Sequence, residues 1–449
     1  MKSEWFLIVF AFAASCKPNL PTEKVPARYA MINTCWQTFD LGLKDKNDFV
    51  KNSTILTLGR IGNRKAIETL KAVDVTANPS VIRPYTRVLS QLHDTMAFLA
   101  LYDHARSTDF QIRENVIIGL ARMGDLYDRP TMTRIFKKML SEIDTMKVDT
   151  VSYDREEIVR GKEELRAKVA VALLRFGEAS ARRYVEPILQ SGDFSPKVNL
   201  VKMIGVVRAD EAVDIAVRLS RDPSTYVRAK SAEALGLLQG STAITTLRQM
   251  LSVEKAEDVR IEAAIGLMKA DEAAAVATLV ESLNTPNDDV RSKILLAFTN
   301  VQSAELRREL IPIVRQQAAS PSEWVRISAI GALGSFRDTT SFDIFEAGLD
   351  DKLIQVKEIS IGVLASMRSA EMVDDLIDYL RDEQYSMRSV AISGLGQIRD
   401  PNLLDGKVIP AIYDRLKNDQ EMVVRVRAAF TLLDLLHDHA FTKHKDERG

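Results

Sequence analysis

The chain is poor in the residues that announce most kinds of chemistry. Its 449 residues include two cysteines and five histidines. A disulfide framework is therefore excluded, and no paired cysteines are available for a zinc site. Aromatics make up 6%, with 14 prolines and 20 glycines, too few for the turn-rich strands of a sandwich or barrel. The formal net charge is -1 although 27% of residues are charged. Such a balance solvates a surface but leaves no basic footprint for nucleic acid. There is no glycine-rich phosphate loop and no G-x-S-x-G nucleophile turn. No cofactor and no metal site are expected.

What is present is a phrase said many times. "YVRAKSAEALG" from Tyr226 returns as "DVRIEAAIGLM" from Asp258, "DVRSKILLAFT" from Asp289 and "WVRISAIGALG" from Trp324. "QVKEISIGVLA" from Gln355 and "SMRSVAISGLG" from Ser386 continue it. With the register set on the apolar residue before the basic one, units begin at Val50, Val81, Ile112, Leu165, Val198, Val227, Val259, Val290, Val325, Val356, Met387 and Val424. Eight residues on, every unit carries a large apolar side chain; one residue on, ten of the twelve carry Lys or Arg, with Ile82 and Asn199 the exceptions. Positions 0, +4, +7, +8 and +11 share one helical stripe. Segments such as "AITTLRQMLS" supply a preceding helix, and clusters such as "RDPST" and "NTPNDD" supply the turn between the two. A two-helix unit cannot bury its apolar faces alone, so neighbours must stack into an array.

The phrase V-R-x-x-A-x-x-A-L-G, clearest at Val227–Gly236 and Val325–Gly334, resembles the HEAT-repeat superfamily, in particular the short HEAT-like repeats of the phycobilisome lyase type. The resemblance covers about Asp48 to Leu436 and implies an all-α superhelical solenoid of about twelve two-helix repeats. The domain plan is a signal peptide at 1–15, a lipid-anchored tether at 16–29, the solenoid at 30–436 with an insertion at about 125–155, and a polar tail at 437–449.

The first segment rests on "WFLIVFAFAAS", an apolar run suited to a signal peptide and followed by Cys16. Ala13-Ala14-Ser15-Cys16 resembles a bacterial lipobox, which implies acylation of Cys16 and a place in the bacterial envelope. Plain secretion is the alternative, and a Cys16–Cys35 bond becomes open if Cys16 is not acylated. The three prolines of "KPNLPTEKVP" then form a stiff tether of about 30 Å at ~3.1 Å per residue.

The basic residues at +1 could form an anion-binding ladder, but in such arrays they more often hold turns together, here with Asp222, Asp258, Asp289 and Asp382. His93, His104, His437, His439 and His444 have no following Glu and no metal-clamp spacing. Positions +2, +6 and +9 of the middle units carry apolar residues facing away from the stripe. Val171, Leu174, Ile204, Val207, Ile265, Met268 and Leu296 are therefore expected to form an inner strip that receives a partner's amphipathic helix; packing between neighbouring helices is the competing account. The functional expectation is a scaffold or adaptor that binds another protein and reaches the membrane through its N-terminal lipid. The alternative is an enzyme of the HEAT-like family, phycobilin lyase-like or an oxidoreductase, with an unrecognised active site.

Overall fold

The computed structural model describes residues 27–73, 78–148, 154–268, 272–368 and 371–436. The signal peptide, Cys16, the tether as far as residue 26, and the tail with His437, His439 and His444 lie outside them. The described residues are helical without a strand, arranged as twelve units of an outer helix followed by an inner helix. The inner helices are Asp48–Ile61, Pro79–Leu89, Phe110–Arg122, Arg155–Arg175, Phe194–Val206 and Thr225–Leu238 in units 1 to 6. Units 7 to 12 contribute Glu257–Met268, Asp288–Phe298, Glu323–Ser335, Ile354–Met367, Tyr385–Leu395 and Met422–Leu436. Among the described residues, no helix is long and apolar enough to cross a membrane.

Local chemistry starts these helices where the turn clusters lie. Asn47, Asp109 and Asn287 each accept backbone hydrogen bonds from the first turn of an inner helix. Asp154 and Glu157 form a reciprocal capping box at the start of the fourth. That helix runs 21 residues, and the outer helix before it, Arg129–Asp144, runs 16. The extra length near 125–155 is thus largely spent on extending a hairpin that keeps its place in the array.

Each inner helix packs against the inner helices before and after it, and most also pack against their own outer helix. Three covered sides leave a narrow open stripe, so burial spreads beyond the predicted positions. In unit 6, Val227, Ala229, Ser231, Ala232, Ala234, Leu235, Gly236 and Leu238 are all buried. Position +9 points at the next inner helix. A Cβ on Gly59 would meet Val88, one on Gly236 would meet Gly266, and one on Gly334 would meet Val363.

The structure also corrects the register of one unit. Lys197, not Asn199, is the basic residue of unit 5: its Nζ lies 2.8 Å from the Asp222 carboxylate, and both side chains are buried. The anchor is then Pro196, thirty-one residues after Leu165 and thirty-one before Val227. Unit 2 keeps Val81 as its anchor, since Tyr85, Val88, Leu89 and Leu92 at +4, +7, +8 and +11 are all buried. Its basic residue is Arg83 at +2, 2.7 Å from Asp109. Ile82 remains the one exception to the +1 rule among the twelve units.

The inner layer closes on itself. The inner helix of unit 12 packs against the inner helix of unit 1, and the outer helix of unit 1, Arg28–Leu43, packs against the inner helix of unit 12, as the outer helices of units 2, 3, 6, 7 and 8 pack on the preceding inner helix. A Cβ on Gly42 would lie 3.2 Å from Val426 Cγ2 across this seam. Cys35 sits in it as a free, fully buried thiol that burial pushes up to about 12. Twelve units therefore form a ring of hairpins rather than a rod with two exposed ends.

Candidate functional site

Two structural features of the inner wall could meet a ligand: its open stripe and the cavities along it. Most of the basic residues at +1 are spent before either is reached. Arg228 donates through Nη1 to the carbonyls of Asp222 and Pro223, both at 3.0 Å, and through Nε to Glu254 at 2.7 Å. Arg326 and Arg388 repeat the pattern with Asp351 and Asp419. Each carboxylate also caps the turn it belongs to; Glu254 accepts from the amides of Lys255 and Ala256. The Arg228 hydrogen bond, with these amides, holds the Glu254 carboxyl down to about 2. These cations stitch unit to unit and are not an anion ladder. Of the expected partners, Asp222 gives its carboxylate to Lys197 and its carbonyl to Arg228, Asp382 gives a carbonyl to Arg388, and Asp258 and Asp289 take no such role.

The expected apolar strip is not an open surface. Val171, Leu174, Ile204, Val207 and Met268 are buried. Leu174 and Met268 occupy +9, which faces the next inner helix, and the corrected register puts Ile204 and Val207 at +8 and +11 of unit 5, on the core stripe. Ile265 is half-buried, and Leu296 alone of the seven is open, at 56% exposure. Both stand at +6, which is open to the ring's interior in most units, as at Leu56, Lys202 and Glu233.

What sequence reading missed is a set of aromatics at the starts of inner helices. Phe49, Phe194, Tyr226, Trp324 and Tyr385 stand at position −1 or −2 and are all exposed, Phe49 and Trp324 at 58%. Inner helices of successive hairpins run parallel, so these side chains share one rim. Phe194 and Tyr226 meet edge to face at 6.2 Å between centroids, and Phe49 and Tyr385 border the same cavity. The signal was the bulky residue directly before each anchor, as in "YVR" and "WVR".

Histidine chemistry does not assemble. His93 Nε2 lies 3.2 Å from Asp125 on the surface. His104 is edge-on to Tyr85, and burial holds its pKa down. Among the described residues no three His, Cys, Asp or Glu side chains gather as a metal site.

Among the described residues two cavities are large enough to hold a small molecule. One of about 330 Å³ lies between the extended start of the unit 4 inner helix and the outer segment of unit 5. Its inner cations are engaged: Lys168 with Glu114 at 2.8 Å and Arg166 with Asp144, while Arg183 lies over the Tyr184 ring. The other, about 250 Å³, is on the inner wall where the ring closes, between units 10, 11, 12 and 1. Ser53, Glu358, Tyr385, Ser389 and Arg427 are among its lining residues.

A family model described as HEAT repeats matches residues 184–268, 212–299, 276–358 and 347–433, more than half of the chain. The chain is a HEAT-repeat protein. Among solved structures this HEAT protein is similar to the complex of CpcE and CpcF of phycocyanin lyase from Nostoc, at 19% identity and TM-score 0.34, over 50% of this chain and 94% of that one. It is also similar to human deoxyhypusine hydroxylase, at 15% identity and TM-score 0.30, over 76% of this chain and 100% of that one. An engineered protein matches at 15% identity and TM-score 0.30, over 90% and 99%. No curated protein matches in sequence.

Proposed function

We propose that this HEAT protein is an exported scaffold, lipid-anchored at Cys16 in a bacterial envelope, whose ring binds another protein. The observation that carries the reading is the aromatic rim: five large rings left in water at the starts of parallel helices, where packing makes no demand for them. Exposed aromatics gathered along one edge are the usual anchors of a protein interface. The topology adds a direction. An outer helix runs antiparallel to its inner helix, so the first helix begins at Arg28 on the rim opposite the aromatics. A chain tethered through residues 16–27 would turn the aromatic rim away from the membrane.

The test is capture from membranes with the full chain, its Cys16→Ala variant, and a Tyr226→Ala, Trp324→Ala double variant. Acyl labelling and detergent-phase partition are expected to disappear with Cys16→Ala alone. A stoichiometric protein partner is expected to be lost with the double variant alone. Labelling that survives loss of Cys16 overturns the anchor, and capture indifferent to the rim overturns the interface.

A further inference from the structure

The seam cavity holds two charges that the protein leaves unspent. Arg427, on the inner helix of unit 12, and Glu358, on that of unit 10, both line it. Neither side chain makes a hydrogen bond or ion pair with any described residue, and the two are not within ion-pair distance of each other. Both are half-buried. Burial pushes the Glu358 carboxyl up, with Arg427 opposing. Burial also draws the Arg427 guanidinium down, helped by Arg60 and opposed by Glu358. Several other half-buried cations of this protein are closely engaged, as with Arg228, Arg326 and Arg388. Unpaired charges facing one small space are costly unless something bridges them.

The rest of the lining fits a small polar guest. The side-chain hydroxyls of Ser53, Ser386 and Ser389 have no partner among the described residues, while Val390 and the rings of Phe49 and Tyr385 give apolar walls. A sugar acid would meet Arg427 alone and an amine would meet Glu358 alone. A zwitterion meets both at once, and the space is at the small end for ligand sites. We propose that the seam cavity binds a free, neutral α-amino acid, its carboxylate on Arg427, its ammonium on Glu358 and its side chain against the aromatic walls. The site shares Phe49 and Tyr385 with the rim, but its ligands and variants differ from those of the rim test, so either proposal can fail without the other.

The experiment is titration calorimetry of the whole chain with each neutral amino acid in turn. The best of them is then compared with its N-acetyl and methyl-ester forms and with glucuronate. Saturable one-to-one binding is expected, weakened at least about tenfold by blocking either charged group. Glu358→Gln and Arg427→Gln are each expected to weaken binding at least about tenfold, and Ser389→Leu, which fills the cavity, to abolish it. Circular dichroism confirms that each variant keeps its helices. Absence of heat up to roughly 10 mM amino acid overturns the proposal. So does an N-acetyl form or glucuronate that binds as well as the free amino acid, since either makes the ammonium irrelevant. The blocked ligands decide the matter on the unmutated protein if a variant fails to fold.

Discussion

Two arcs of the ring solve the same packing problem in opposite ways. In units 5 to 7 the inner helices touch through their backbones: a Cβ on Gly205 would lie 2.9 Å from Ala234 Cα, and one on Gly236 would lie 2.7 Å from Gly266 Cα. In units 9 to 12 small residues recur, but several face open space: Gly331 has its nearest neighbour at 4.0 Å, and Gly362 has none within 4 Å. Small residues in the first arc let helices close up. In the second, Gly331 and Gly362 leave open space, and the serines of unit 11, Ser386, Ser389 and Ser393, line the seam cavity. Residue type alone does not separate the two outcomes; the position on the helix does, +9 in the first case and +6 in the second.

The largest effect should come from attacking the closure itself. Leu432 is fully buried in the last inner helix, and Leu432→Ala is expected to cost about 2–5 kcal/mol. Because the array is a ring, hydrogen exchange should show lost protection in unit 1 as well as in units 11 and 12, with the opposite arc little changed. Loss confined to units 11 and 12 would mean that the seam is not a packed interface.

A smaller pair of changes tests the two arcs directly. Gly236→Ala puts a methyl into a backbone contact and is expected to destabilise by about 1–3 kcal/mol. Gly362→Ala meets nothing, and Ala is the better helix former, so it should stabilise by about 0.5–1 kcal/mol. Denaturant midpoints that moved the same way for both would erase the distinction between the arcs.

The two arcs also hold carboxylates of opposite habit. Glu254, hydrogen-bonded to Arg228, has a folded pKa of about 2, below its ordinary 4.5. Its contribution is present above the unfolded pKa and is lost as pH falls from about 4.5 toward about 2. Glu358 is raised by burial, so its folded form prefers the proton. Its effect favours folding below the unfolded pKa and turns unfavourable as pH rises through the folded one. Stability against pH should therefore flatten on the acid side in Arg228→Met, whereas Glu358→Gln should gain relative to the parent toward neutral pH. Identical profiles for parent and both variants would contradict the assignment.

Much of this architecture is legible in the sequence, because a repeat writes its core position out every thirty or so residues. Leu235, Leu333 and Leu432 at +8 are all fully buried. Register slipped where the motif is degenerate: in unit 5 Pro196 replaces the usual Val, and only the Lys197–Asp222 pair shows where the helix is set. Closure is not written at any one position, since it is the sum of small rotations between successive units. One sign of it was available. "MVVRVRAAFTLLDLL" is apolar around most of its circumference, the pattern of a helix covered on several sides rather than a polar end cap. The seam cavity was out of reach for the same reason, since Ser53 and Arg427 become neighbours only when the chain's two ends meet.

The smallest expected effect on stability falls on the rim, and that is its diagnostic value. Trp324 is 58% exposed directly before the core residue Val325, which is fully buried. Removing the indole should therefore shift stability by no more than about 0.5 kcal/mol, as for ordinary surface positions. Val325→Ala, one residue on, removes buried methyl groups and should cost more through lost packing alone. If the rim serves an interface, Trp324→Ala will behave as parent in thermal denaturation and fail in capture. A large loss of stability in Trp324→Ala would place that ring in the fold, and its exposure would no longer argue for a partner.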